Sequence, residues 1–189
     1  MNLFILSLCF QECAEAMFDK HISKMILEAV QMLSTAKRLL SNPDDIIDSC
    51  VYRIAHKNHP TTKWIRESYE NYMWTLNMVE AMHNEWKYRY GHPESKEHSS
   101  YRVAKYLREN PPPMENFQSV GLTEFALAMP DKYKVIGDAV ESYRNYYCGE
   151  EKRKFASWKN RSPPTWYKIK IRVKKRNCKL DSTNFVVKS

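Results

Sequence analysis

Apolar residues recur at steps of three and four along most of this chain, which is the spacing of one face of an α-helix. A first helix is predicted over residues 12–40, where Ile22, Ile26 and Ala29 fall on one side. The following Ser-Asn-Pro sequence, which ends at Pro43, predicts the stop.

Two more long helices are predicted, over residues 60–90 and 131–159, because apolar and aromatic residues keep the helical spacing there. Between these helices, residues 111–130 contain several prolines. This segment predicts a surface loop, with a short helical turn over 123–128.

The composition favours a mainly α protein, because the chain has only four glycines and no regular spacing of turn signals. We predict a single helical domain, with a body over residues 1–160 and a basic, extended C-terminal segment over 161–189. The apolar residues 1–10 lack a basic flank and are too short to span a bilayer, so they predict a buried strand or packed segment.

Five scattered cysteines without a C-x-x-C pair indicate neither a disulfide framework nor a thiolate zinc site. A reducing compartment fits this usage. We therefore expect a soluble intracellular protein, in the cytoplasm or nucleus of a host cell, with no membrane partner.

Positive charge is concentrated at the C-terminal end of the chain. Residues 150–189 carry 13 Lys/Arg against three Asp/Glu, a net +10, whereas residues 1–149 sum to −2. Basic residues interleaved with Trp158, Trp166 and Tyr167 predict a nucleic-acid partner, since phosphates need neutralising and bases offer faces for stacking.

Residues 168–174 alternate cations with β-branched residues, so an extended chain would place all the charges on one face. The alternative is a solvated basic tail or a localisation signal. The predicted nucleic-acid contacts of the C-terminal segment are Arg161, Trp166, Tyr167, Lys168, Lys170, Arg172 and Lys174.

The polar side of the first helix carries the residues best suited to chemistry. His21, Lys24 and Glu28 are three and then four residues apart, so an imidazole, an amine and a carboxylate share one face. Such a row can transfer protons. The alternative is a solvated face on which Lys24 and Glu28 form an i,i+4 ion pair.

A metal site is a further hypothesis, built on Asp19, His21, His56 and His59. Their spacing is generic, and a metal-dependent hydrolase usually shows a more distinctive pair such as H-E-x-x-H. We therefore predict no metal, and place a metal-dependent phosphohydrolase or nuclease third among the hypotheses.

Two motifs give the chain a resemblance to a known family. Residues 19–28 resemble the D-x-H-x6-E stretch of the pyrimidine-dimer DNA glycosylases, the phage endonuclease V family, and residues 164–168 match its P-T-W-Y-K element. The opening Met1-Asn2-Leu3 and the central Asn58-His59-Pro60 also resemble members of this family and related phage proteins.

The resemblance implies that Glu28 is the catalytic acid and that an α-amino group attacks the sugar, forming an imine that permits strand cleavage. An α-amine suits this role because its reference pKa is about 8. The family nucleophile is a Thr exposed by removal of the initiator Met, whereas Asn2 stands here and opposes that removal. The resemblance therefore implies Met1 as nucleophile, or else Lys20 or Lys24.

The function predicted from the sequence is a DNA base-excision glycosylase with abasic-site lyase activity on damaged or modified duplex DNA. His21 would support Glu28, the C-terminal aromatic residues would hold the extruded site, and no cofactor is needed. The alternative is a non-catalytic viral nucleic-acid-binding protein, such as a subunit of a viral complex.

Overall fold

The computed structural model describes residues 1–167 of the 189-residue chain. This part is helical and contains no strand, which confirms the predicted fold class. The predicted alternating stretch, with Lys168, Lys170, Arg172 and Lys174, lies outside the described residues. Seven α-helices occupy these ranges: α1 Phe10–Ala16, α2 Asp19–Leu40, α3 Pro60–Ile65, α4 Tyr69–Tyr90, α5 Ser99–Glu109, α6 Ala139–Cys148 and α7 Glu150–Arg153.

Helix α2 is the centre of the bundle and packs against α3, α4 and α5, while α1 packs against α4. The segment before α1 is buried, with Leu3, Phe4, Ile5 and Leu6 at most 2% exposed. It forms no strand, so of the two predicted forms the packed segment is confirmed. Aromatic residues of α6 cover it, which brings the chain's first residues against α2.

The predicted first helix over 12–40 is wrong in one respect, because two helices separated at Met17 and Phe18 fill this range. The break leaves the last carbonyl groups of α1 without helical partners. The buried guanidinium of Arg89 donates to the carbonyl oxygens of Ala14, Glu15 and Met17. A distant arginine therefore stabilises the break, and local spacing cannot show it.

The predicted second helix is also divided, into α3 and α4. Ser68 begins α4 by accepting a hydrogen bond from the backbone N–H of Asn71, as an N-cap residue does. Helix α4 ends where predicted, at Gly91, which takes the left-handed conformation with φ of 61°.

Further predictions differ in the second half of the chain. Helix α5 was not predicted, and residues 123–128 form no helix. The predicted helix over 131–159 is reduced to α6 and α7. Gly137 has φ of 76° just before Asp138 caps α6, and Gly149 between the helices leaves room for the Tyr133 ring.

Residues 155–167 pack on the helical body through a cluster of charges that we call the arginine hub: Arg89, Arg161, Asp19, Glu85 and Glu15. Arg89 is fully buried and pairs with Glu85 at 2.6 Å and with Asp19 at 3.0 Å. Arg161 pairs with Glu85 at 2.8 Å and with Glu15 at 3.0 Å.

Apolar contacts complete the docking of this segment. The indole N–H of Trp158 donates to the carbonyl of Ala16 at 3.0 Å, and Tyr167 packs edge-on against Phe18 and Trp158. None of the helices within residues 1–167 combines the length and apolar composition that a transmembrane span requires.

Candidate active site

The carboxylate of Glu28 lies on the inner side of α2 and is only 9% exposed. Its Oε2 accepts a hydrogen bond from the backbone N–H of Asn2 at 2.9 Å and lies 3.7 Å from the α-amino nitrogen of Met1. Its Oε1 lies 3.3 Å from Nζ of Lys24. Of the alternative reading, the i,i+4 ion pair between Lys24 and Glu28 is present, but Glu28 is not solvated, since the buried N-terminal segment covers it.

A cavity of about 290 Å³ opens beside this carboxylate. Its walls come from the N-terminal segment, α2, the loop before α6, and the region of α6 and α7. The residues that line it are Met1, Asn2, Phe4, Lys20, His21, Lys24, Met25, Glu28, Ala128, Tyr146, Lys152 and Phe155.

His21 is buried in the wall of the cavity, stacked on Phe4 with ring centroids 4.8 Å apart. Its Nδ1 lies 2.6 Å from the hydroxyl oxygen of Tyr147. Burial, followed by the charges of Lys152, Lys24 and Lys20, lowers the pKa of His21 to about 3. His21 is therefore a neutral imidazole at physiological pH.

Lys152 of α7 places a cation in the opposite wall. Its Nζ lies 4.9 Å from the ring centroid of Phe4 and 4.8 Å from that of Tyr146. Burial lowers the pKa of Lys152, with Lys24 adding to the effect and Glu28 opposing it. Together with Met1, Lys20 and Lys24, it gives the cavity four amines against one carboxylate.

Residues 1–98 match the family described as pyrimidine dimer DNA glycosylase, a range that spans α1 to α4 and includes Met1, His21, Lys24 and Glu28. The chain belongs to this family. The resemblance to this family is thereby confirmed, although the motif at residues 164–168 lies outside the matched range, and DNA is the partner on which the family's members act. No curated protein and no solved structure matches the chain.

In this glycosylase family member, the structure brings together all four residues predicted for catalysis, Met1, His21, Lys24 and Glu28. Sequence reasoning missed Lys152 and Phe155, which lie far along the chain and outside the family match. Nothing in their local pattern marks them. Only the packing of α6 and α7 on the N-terminal segment brings them to the cavity.

The predicted DNA-contacting residues within the described range are differently placed. Trp166 is half-buried and lines a second cavity of about 460 Å³, with the guanidinium of Arg144 5.2 Å from its ring centroid. Tyr167 is buried, and Arg161 is held by the carboxylates of the arginine hub. Of the two aromatic residues, Trp166 is thus the one with a partly exposed ring.

Two residues of the metal hypothesis, Asp19 and His59, hydrogen-bond to other groups of the chain. Asp19 accepts hydrogen bonds from Arg89, from Ser157 and from the backbone N–H of Lys159, while Nδ1 of His59 accepts from the backbone of Thr61. Within residues 1–167, no three His, Cys, Asp or Glu side chains are grouped as metal ligands would be.

Proposed function

We propose that this chain removes a damaged base from duplex DNA and then cleaves the strand at the abasic sugar through a covalent imine. The observation that carries the proposal is the pair formed by the Met1 amine and the Glu28 carboxylate, 3.7 Å apart in a cavity ringed by cations. A nucleophile with an adjacent proton acceptor is what covalent attack on C1′ of the sugar requires.

Glu28 would serve successive proton transfers. When the amine nitrogen bonds to C1′, the glycosidic bond breaks and its electron pair leaves with the base. Glu28 accepts the proton that the amine releases, and as a carboxylate it can later remove the C2′ proton, so that the 3′ phosphate leaves by β-elimination.

Burial, rather than distance, favours the terminal amine over the amine of Lys24, because the Met1 side chain is only 4% exposed. Besides the Met1 nitrogen, the backbone nitrogen of Asn2 lies 2.9 Å from Glu28 Oε2, so removal of Met1 would present a new α-amine to the same carboxylate. Lys24 is the rival nucleophile: its Nζ lies 3.3 Å from Oε1 of Glu28, but its side chain is 58% exposed. Lys20 holds its Nζ over the ring of Phe155 at 4.7 Å.

DNA would be held at two places. The lysines around the cavity can neutralise phosphates beside the reacting sugar, and the C-terminal segment supplies Trp166 for stacking and, beyond the described residues, further cations from Lys168 onward. Arg161, with its guanidinium paired to Glu85 and Glu15, would contribute by holding this segment in place.

Borohydride reduction on duplex DNA with an abasic site tests the proposal, because it converts an imine into a stable protein–DNA adduct. We expect an adduct with the unmodified chain, and mass spectrometry of the adduct peptide should place it on the α-amine. Acetylation of the terminus, or a residue added ahead of Met1, should abolish it.

The outcomes separate the hypotheses. An adduct that survives blocking of the terminus makes a lysine the nucleophile. Absence of any adduct on abasic or dimer-containing duplex, with DNA binding intact, would favour the non-catalytic binder. Loss of activity on chelation, restored by a metal ion, would favour the metal-dependent hydrolase.

A further inference from the structure

The hydrogen bond between His21 and Tyr147 determines which imidazole nitrogen carries the proton. Tyr147 is fully buried on α6, outside the family match, and its hydroxyl oxygen lies 2.6 Å from Nδ1 of His21. Burial raises the pKa of Tyr147 well above its usual value, so the phenol keeps its proton.

The hydroxyl proton needs an acceptor, and within residues 1–167 only Nδ1 of His21 is in hydrogen-bond contact to accept it. If Nδ1 carried the imidazole proton instead, the buried phenol proton would have no partner, which is costly in a protein interior. Tyr147 therefore donates to Nδ1, and the proton of the neutral imidazole resides on Nε2.

The Nε2–H group makes no hydrogen bond to another residue within 1–167, although His21 lines the cavity beside Glu28. A donor in a cavity wall that hydrogen-bonds to no other described residue is available to a substrate oxygen. Glu28, two helical turns further along the same face of α2, supplies the carboxylate for the same substrate.

We propose that His21 is a neutral hydrogen-bond donor, through Nε2–H, to the sugar ring oxygen O4′, and that Tyr147 is a positioning residue that fixes this tautomer. The proposal rests on the proposed glycosylase and lyase function. In this role His21 donates a hydrogen bond and does not act as a base. The proposal also gives a role to Tyr147, which no family motif contains.

The step concerned is opening of the sugar ring. The nitrogen lone pair of the attached amine forms the C1′=N bond, the C1′–O4′ bond breaks, and its electron pair stays on O4′. The proton that Glu28 took from the amine passes to O4′, while the His21 hydrogen bond stabilises the charge that develops there. His21 keeps its own proton throughout.

The charges that face His21 agree with this role. Lys20 and Lys24 on its own helix and Lys152 on α7 act with burial to hold the pKa of His21 to about 3. Tyr147 on α6 stays protonated. In the cavity, Glu28, the Met1 amine and Tyr146 complete the titratable groups of the described residues, so the imidazole remains neutral across the range in which the enzyme would work.

The first test is the tautomer itself, measured by ¹⁵N NMR of the ring nitrogens on the full chain between pH 5 and 8. We expect a protonated Nε2 and an unprotonated Nδ1, lost or mixed in Y147F. The matched control is Y72F, since the Tyr72 hydroxyl bonds the Leu107 carbonyl at 3.4 Å, away from the cavity. An Nδ1–H tautomer or an imidazolium near pH 7 would overturn the proposal.

The second test compares H21Q with H21A in single-turnover formation of the borohydride adduct. The glutamine amide can donate as Nε2 does but cannot act as a base, so we expect H21Q within about tenfold of the unmodified chain and H21A roughly 100-fold slower. Y147F should be slowed about tenfold, with DNA affinity unchanged.

These measurements distinguish a failure of the proposed function from a failure of the donor role of His21. An unmodified chain that forms no adduct overturns the proposed function and, with it, a catalytic role for His21. An unmodified chain that forms the adduct, with H21Q as slow as H21A, overturns the donor role alone.

Discussion

Helix α2 carries two carboxylates in contrasting surroundings, Asp19 at its first residue and Glu28 nine residues later. Asp19 belongs to the arginine hub, in which three carboxylates form ion pairs with two guanidinium groups of the same chain. Glu28 faces a cavity in which it is the one carboxylate among four amines.

The difference shows that one helix can carry a carboxylate that stabilises the fold, Asp19, and another that faces the candidate active site, Glu28. In the hub, the charges pair with one another, so the cluster fixes the break between α1 and α2 and the course of residues 155–167. In the cavity, the excess of cations remains for a polyanion such as DNA to neutralise. The predictions below test this division, beginning with the largest expected effect.

Replacement of Glu28 by Gln should abolish nearly all turnover and leave DNA affinity unchanged. The amide keeps the shape of the side chain but accepts no proton, and general acid–base catalysis is worth ~10²–10⁴-fold in rate. Base release and strand cleavage on lesion-containing duplex measure the effect. The control is E80Q, a half-exposed carboxylate of α4 paired with Arg108, which should behave like the unmodified chain.

Replacement of Arg89 by Met should lower the free energy of unfolding by about 3–5 kcal/mol, because it leaves buried carboxylates and carbonyls without their donor. Denaturant unfolding followed by circular dichroism gives the value. The matched control is R108M, whose partly exposed ion pair at 3.3 Å should cost at most about 1 kcal/mol. Equal losses in the two variants would mean that the hub is not a stabilising centre.

The contrast between these regions also marks what the sequence could predict. The i, i+3 and i+4 spacing of His21, Lys24 and Glu28 placed them on one face of a helix, and the structure brings that face to the cavity. The covering segment is predicted as a buried strand or packed segment but without a position, because its partners, Tyr143 and Tyr147, follow some 140 residues later.

The helix breaks were missed for a similar reason. The stop after Ala16 depends on Arg89, more than 70 residues away. The break before Ser68 does have a local signal, the serine N-cap, but a prediction based on the spacing of apolar residues does not take it into account. Helix α5 also carries a local signal, since Val103, Ala104 and Leu107 keep helical spacing after the paired serines.

Removal of residues 168–189 should weaken DNA binding by roughly 100-fold at physiological salt, because it deletes eight Lys/Arg against one Asp. The cut belongs after Tyr167, since that ring is buried against Phe18 and Trp158, and an earlier cut would remove it and uncover these two rings. Binding measured across salt concentrations should show a shallower dependence in the shortened chain. An unchanged salt dependence would contradict an electrostatic role for these residues.

Acidification should destabilise the two regions in different pH windows. Burial raises the pKa of Asp19, but hydrogen bonds from Ser157, Lys159 and Arg89 outweigh it and leave the pKa below 3.8. The hub's contribution is therefore present above about pH 4 and lost below it. His21 has a folded pKa of about 3 against 6.5 unfolded, so the unfolded chain binds the extra proton and stability falls progressively below pH 6.5.

Unfolding measured from pH 7 to pH 3 checks these windows. In H21Q the free energy of unfolding should fall less steeply between pH 6.5 and pH 4. In D19N the free energy of unfolding that is lost below pH 4 should be smaller. A slope that neither substitution alters would assign the acid sensitivity to other groups, such as buried His83, whose pKa burial and then Lys87 lower to about 4.

The smallest expected effect concerns Lys24, whose ion pair with Glu28 is 58% exposed on the lysine side. Replacement of Lys24 by Gln should change the free energy of unfolding by only about 0.3–0.5 kcal/mol, as for other i,i+4 pairs. Its effect on DNA should nevertheless be measurable, because a cation at the cavity mouth that contacts a phosphate contributes about one unit to the salt slope of binding. The matched control is K105Q on α5, which breaks a half-exposed ion pair between Lys105 and Glu97 and should leave that slope unchanged. Equal slopes in K24Q and in the unmodified chain would show that Lys24 serves Glu28 alone, and that the phosphate contacts of the cavity belong to Lys20 and Lys152.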